Sequence, residues 1–122
     1  EGRQVYIEVK NSTLRLGDFA CFPDAVTARG TKHLRELEAM AREGHRAAIA
    51  FFIHRPDVRA FDAAREIDPA YDQELDRAAA AGVLVLPLAV ELLAAPRPDG
   101  TWSLAWDLAG LLPWERRGSP AP

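Results

Sequence analysis

Val5, Ile7 and Val9 alternate with Tyr6, Glu8 and Lys10 near the head of the chain, and a run so rich in β-branched and aromatic residues predicts a strand. Side chains of a strand point alternately to its two faces, so the aliphatic trio shares one face and Tyr6, Glu8 and Lys10 share the other. Thr13 to Leu16 and Phe19 to Phe22 flank Gly17-Asp18, a hairpin signal, and Pro23-Asp24 stops the second run. From about Lys32 to Glu43, Leu34, Leu37, Met40 and Ala41 recur at helical spacing, with Thr31 placed as N-cap and Gly44 as C′. The run RAAIAFFIH, residues 46 to 54, is apolar nearly throughout and predicts the central strand of a covered sheet. A loop is expected through Pro56 and Phe61. Asp68 as N-cap, Pro69 at N1, acids in the first turns and Gly82 at the end then mark a second helix. Residues 83 to 92, VLVLPLAVEL, predict a strand in which Pro87 calls for an edge position or a bulge. Pro96 to Gly100 reads as a turn, Thr101 to Asp107 as a last strand pairing back, and the tail from Arg116 as frayed. Strands interleaved with two helices indicate an α/β domain, a mixed sheet flanked by helices.

Composition narrows the class. At 122 residues, 48% hydrophobic and 27% charged, the chain fits one globular domain with a real core. The longest apolar run, Ala47 to Ile53, is far too short to span a bilayer, and no basic-then-apolar start suggests a signal peptide. A single cysteine, Cys21, excludes an internal disulfide framework and a cysteine-based zinc site. A cytoplasmic location without a membrane partner is therefore expected. The chain opens at Glu1, not at methionine, and is expected to be a domain cut from a longer protein. The net charge of −3 gives no overall pull toward nucleic acid, but Arg29 to Arg59 holds seven basic residues against four acidic ones, whereas Asp62 to Glu91 is acidic. A basic face on an acidic domain can meet phosphates, and it can equally be a solvated helix.

The candidate chemistry starts with Glu8 and Lys10. The plain reading of E-x-K is a solvated ion pair on the outer face of a half-buried strand. The alternative is a carboxylate that holds a metal ion beside an amine that activates water, and spacing alone leaves both open. Cys21 with His33 carries no sign of an activated thiol and reads as a small buried residue. The three histidines lack the i, i+4 spacing of a zinc helix. Trp102, Trp106 and Trp114 suit either base stacking or core and edge packing, with Trp102 and Trp106 on one strand face.

Three separated stretches carry a resemblance. YIEVKNSTL (6–14), FPDAVTARGTKHLRELEAMAREGHRA (22–47) and RPD with EIDPAYDQELDRAAAAGV (55–83) are similar, in order and spacing, to the sugar fermentation stimulation protein A (SfsA) family. The match runs from about residue 5 to residue 86, and the string F-P-D-A-V-T-x-R-G-x-K-H-L-x-E-L is its most specific part. The C-terminal segment from Trp102 to Trp114 departs from the pattern, and His54 stands where the family is expected to have glutamine.

The resemblance implies that residues 1–115 form the C-terminal, nuclease-like domain, with a PD-(D/E)xK, restriction-endonuclease-like core, and that 116–122 is a frayed tail. An oligonucleotide-binding barrel domain would lie upstream. Within the superfamily, Glu8 corresponds to a metal-binding acid and Lys10 to the catalytic lysine, with Mg²⁺ or Mn²⁺ as cofactor. Phosphodiester hydrolysis needs such a cation to polarise the phosphate, and an amine two residues along the same strand face lies close enough to orient water. The usual second acid precedes the E-x-K strand. Within this chain Asp24 is the candidate for a supporting metal ligand, against an Asx turn after Pro23. Arg29, Lys32 and His33, on the following helix, are candidates for nucleic-acid contacts, and Glu36 for an ion pair with Lys32. The implied activity is metal-dependent cleavage of DNA or RNA. A DNA-binding regulator of sugar-utilisation (maltose) genes that keeps the fold without the chemistry is the alternative, and a purely structural domain a third.

Overall fold

The structure is a computed structural model and describes residues 4–118. Its main sheet has the order β1-β4-β6-β7. Strands β1 (Val5–Ser12), β4 (Arg46–Ile53) and β6 (Leu84–Pro96) run parallel, and β7 (Trp102–Leu111) closes the sheet antiparallel to β6. A second sheet, β2-β3-β5, joins the hairpin β2 (Leu14–Leu16) and β3 (Phe19–Phe22) to β5 (Ala60–Ala63). Ser12 ties the two sheets, its Oγ donating to the Cys21 carbonyl at 2.9 Å. Helices α1 (Ala28–Arg42) and α2 (Pro69–Ala80) supply the crossovers that parallel strands require. The expected mixed α/β sheet with two helices is what forms.

The core lies between this sheet and both helices. Ile49, Phe51 and Ile53 of β4, Leu34 of α1, and Tyr71 and Leu75 of α2 are all fully buried in one cluster. The nearly continuous apolar run of β4 thus earns its central position between β1 and β6.

Several details depart from the pattern-based expectation. Helix α1 starts one turn early: Thr27, not Thr31, is the N-cap, and its Oγ1 accepts the Gly30 N–H at 2.9 Å. Thr27 has the extended backbone a cap requires, whereas Thr31 is buried inside the first turns. Residues Ala28 to Gly30 offer no apolar repeat, which is why periodicity starts the helix late. The segment expected as a loop through Phe61 contains β5, where Phe61 is fully buried. Pro87 sits in an interior strand, paired with Phe51. Its carbonyl faces β7 and accepts from Leu112 N at 2.9 Å, so its missing N–H falls at the end of the β6–β7 ladder and costs β4 nothing. The register shift in β6 lies at Ala89/Val90 instead. Trp102 and Trp106 do share a face, but both are exposed, and Trp114 is the one that packs against the core. Arg116 and Arg117 are anchored rather than frayed: Arg116 makes a bidentate bridge to Asp72 at 2.6 and 2.9 Å, and Arg117 N donates to buried Asp62 at 2.7 Å. The rest of the expected tail, 119–122, lies outside the described residues.

The two faces of β1 are the reverse of the plain reading. Val5, Ile7 and Val9 are 63%, 60% and 51% exposed, whereas Tyr6, Glu8 and Lys10 turn toward α1 and the core. Exposed apolar side chains also occur at Leu84 of β6 and at Leu104 and Trp106 of β7, whereas Ala48 and Ala50 of β4, in register with Ile7 and Val9, are buried. The ion pair is therefore inside and the aliphatic stripe outside. Alternation reveals that a strand has two faces but not which one the helices will cover.

At the helix–helix contact, buried Glu74 of α2 meets buried Glu38 of α1. Burial, then the neighbouring Glu38 carboxylate, raises the Glu74 carboxyl from 4.5 to about 7. Glu38 is held low by its contact with Glu74 and then by Arg42, which donates to Oε2 at 3.0 and 2.8 Å. A carboxyl with a raised folded value contributes its full stability below its unfolded value and loses it as pH climbs through the folded one. Stability should therefore fall as pH rises from about 4.5 through about 7. Glu74→Gln, which cannot ionise, is expected to be the more stable protein at pH 8, by on the order of 1–3 kcal/mol, with the difference shrinking toward pH 5. Urea titrations of both proteins at the two pH values check this, and parallel pH dependences would refute it.

Candidate active site

Glu8 and Lys10 stand two residues apart on β1 and so project from the same side of an edge strand. The partner strand β4 sets Ile49 beside Glu8 and Phe51 beside Lys10, both fully buried, so the pair rests on an apolar wall. Lys10 Nζ lies 3.2 Å from Glu8 Oε1. The third member comes from α1: His33 Nδ1 is 3.1 Å from the same Oε1 and 3.3 Å from Lys10 Nζ. The side chains are only partly open to solvent, at 33% for Glu8, 18% for Lys10 and 24% for His33. A carboxylate oxygen, an amine and an imidazole nitrogen thus converge, and the carboxylate and the imidazole border a cleft. The cleft has a volume of about 480 Å³ and is lined by Glu8 and His33 with Tyr6, Ile7, Glu36, Leu37 and Met40.

The position of His33 follows from how α1 is seated. Asp68 Oδ1 accepts the Tyr71 N–H at 3.1 Å as the N-cap of α2, and its Oδ2 accepts the Thr27 N–H at 2.9 Å. One buried carboxylate therefore fixes the start of both helices. Gly30 lets them approach: a Cβ at that position would lie 2.8 and 3.0 Å from the Thr27 side chain and 3.2 Å from Cε2 of Tyr71. Helix propensity alone favours alanine over glycine by about 1 kcal/mol. Gly30→Ala is nonetheless expected to destabilise the protein by about 1–3 kcal/mol, because it presses on the cap and on a fully buried ring. Equilibrium denaturation gives the sign directly, and a stabilised variant would refute the close approach.

The other sequence-derived candidates divide. Arg29 and Lys32 are exposed on the turn of α1 that carries His33, and neither has an ion-pair partner among the described residues. Much of the remaining basic segment is engaged: Arg35 with Glu74, Arg42 with Glu38, Arg55 with Asp57, and Arg59 with Asp18 and Glu115. Glu36 lines the cleft beside Glu8 and forms no ion pair with Lys32 among the described residues. Asp24 is exposed in the bend after β3, and among the described residues no three His, Cys, Asp or Glu side chains are placed to share a metal ion. Among the described residues Glu8 and the exposed Glu36 are the carboxylates that line the cleft, and Glu8 is the one paired with Lys10. This fits Mg²⁺, which is commonly held by one or two carboxylates, with water and substrate phosphate filling the remaining positions. Cys21 is buried, and desolvation pushes its thiol up to about 11, so it is no nucleophile.

Tyr71 was not a candidate from sequence. Its hydroxyl is fully buried without a hydrogen-bond partner among the described residues, and burial, with the charges of Glu8 and Asp68 adding, raises its phenol well above the ordinary tyrosine value. Its place in α2 reads from sequence as a core position, and only the packing of α2 against α1 brings it near Glu8.

A family model described as "Sugar fermentation stimulation protein RE domain" matches residues 1–95. Among curated relatives, the sugar fermentation stimulation protein homolog of Syntrophobacter fumaroxidans is 55% identical over 84 residues, covering 69% of this chain and 32% of its own length. That of Gloeobacter violaceus is 48% identical over 92 residues, covering 75% and 39%. The chain thus spans between about a third and two fifths of these relatives. The structure of Pyrococcus furiosus SfsA in complex with Ca²⁺ is similar with a TM-score of 0.77 at 31% identity, over 92% of this chain and 45% of that one. No described helix is long and apolar enough to cross a membrane.

Proposed function

This chain belongs to the sugar fermentation stimulation protein family, and from that premise we propose that it is a divalent-metal-dependent nuclease domain with a PD-(D/E)xK core, hydrolysing phosphodiester bonds of DNA or RNA in the cytoplasm. The observation that carries the reading is the inward turn of Glu8 and Lys10. A lysine and a glutamate on the solvated face of a strand need no explanation, but a pair turned toward α1, while no described residue covers the aliphatic neighbours Val5, Ile7 and Val9, reverses the ordinary burial preference within this domain. Such an inversion marks side chains retained for chemistry.

Glu8 would hold the cation, Mg²⁺ or Mn²⁺, both of which suit oxygen donors. The P. furiosus relative in complex with Ca²⁺, another hard cation, supports a cation site in this fold. When bound, the ion would polarise the phosphate and lower the pKa of attacking water. Lys10 then orients that water and faces the negative charge that develops on the phosphate. The apolar wall of Ile49 and Phe51 keeps the surroundings of the amine poor in water, which strengthens that interaction. Arg29 and Lys32, exposed on the adjoining turn, meet the backbone of the nucleic acid.

Labelled single- and double-stranded DNA and RNA, incubated with the whole encoded protein in Mn²⁺ or in EDTA, test the reading. Cleavage in Mn²⁺ that EDTA abolishes is the expected result and identifies the preferred polymer. Substrates that stay intact while DNA is still bound would replace the nuclease by a DNA-binding regulator.

A further inference from the structure

The third group at the cleft has no role in that scheme, and its geometry supplies one. We propose that His33 is a positioning residue that holds Lys10 in its working orientation over Glu8. Nδ1 lies within hydrogen-bond reach of both Lys10 Nζ, at 3.3 Å, and Glu8 Oε1, at 3.1 Å. As a bare nitrogen it accepts from Lys10, and as an N–H it donates to Glu8, so either tautomer ties the imidazole to the pair. Lysine carries its amine on a flexible four-carbon stem whose rotamers are lost only when the head is held. Phe51 can pack against the stem but offers no polar atom to the head. His33 comes from a different element, and that element is itself fixed at Thr27 by Asp68 and drawn close to α2 at Gly30. The imidazole is thus a rigid post, planted from the helix against the free end of a flexible side chain on the strand. Arg29 and Lys32, by contrast, point to solvent. Exposed cations on this turn suit phosphate contact, and the half-buried imidazole does not share their surroundings.

The catalytic consequence rests on the nuclease reading, whereas the positioning itself does not. In the whole encoded protein, His33→Ala is expected to lower kcat about 10–100-fold, the usual effect of removing a supporting partner. KM for the nucleic acid and its salt dependence should be unchanged. Asparagine places a polar atom close to where Nδ1 stands, so His33→Asn should recover much of the loss, and His33→Gln, whose amide reaches further, should not. A second readout needs no cleavage. This chain holds two lysines, Lys10 and Lys32. With ¹³C-labelled lysine, the Cε resonance of Lys10, assigned from its loss in Lys10→Arg, should move in His33→Ala while that of exposed Lys32 stays in place. A Lys10 resonance that does not move overturns the proposal whether or not the protein cleaves. A raised KM and a reduced salt slope at unchanged kcat overturn it in favour of direct phosphate contact. A wild-type protein that cleaves nothing removes the nuclease reading, and the Lys10 resonance then decides the positioning role by itself.

Discussion

Replacing Lys10 by alanine is expected to reduce metal-dependent cleavage by the whole encoded protein about 10²–10³-fold, the usual loss when one donor facing developing transition-state charge is removed. Glu8→Ala should lose at least as much, since Glu8 is the carboxylate that pairs with Lys10 and borders the cleft. The two losses should not add. In the proposed mechanism Lys10 and Glu8 would act on one reacting centre, so the double variant is expected close to the worse single one. Lys10→Arg should not restore the rate, because a planar guanidinium cannot place a compact donor where the amine stands. Both side chains are partly exposed, so the substitutions should leave the fold intact, and circular dichroism with single-turnover cleavage separates lost chemistry from lost structure. Lys10→Ala cleaving at the wild-type rate would remove Lys10 from the mechanism.

The largest expected effect on stability is at Phe51. Its side chain is fully buried at the centre of the main sheet, stacked on Phe61 with ring centroids 4.3 Å apart and tilted against Phe22 at 5.5 Å. Phe51→Ala should cost about 3–5 kcal/mol, from lost transfer energy and the cavity left among rings that cannot all collapse into it. That is a large share of the roughly 5–15 kcal/mol that stabilises an ordinary domain. Urea denaturation should show the midpoint falling at a nearly constant slope. Because Phe51 pairs with Lys10 across the β1–β4 ladder, the folded variant should also lose activity beyond what its unfolded fraction explains. A loss below about 1 kcal/mol would contradict the packing described for the core.

How much of this was legible beforehand can be judged from particular residues. Local signals are short-range physics, and they were enough for the hairpin at Gly17-Asp18, for α2 between Asp68 and Gly82, and for β4 as a long apolar strand. The E-x-K spacing placed Glu8 and Lys10 on one face of one strand, because side-chain alternation is a property of the strand alone. Which face would be covered is a different matter. It depends on where α1 and α2 pack, and here they cover the charged side and leave Val5, Ile7 and Val9 exposed. The start of α1 depended on a hydrogen bond from Gly30 to Thr27 that apolar periodicity does not register. Pro87 was tolerated in an interior strand because its missing donor falls where the β6–β7 ladder ends, which follows from strand order. His33 and Tyr71 came to the neighbourhood of Glu8 through contacts 25 to 63 residues apart in sequence. The sequence by itself determined most of the elements, β5 excepted, and set Glu8 and Lys10 on one strand face, since both are written in neighbouring residues. Only the tertiary structure decided which way that pair faces, what stands beside it and what holds it there, because those depend on long-range packing that no local pattern encodes.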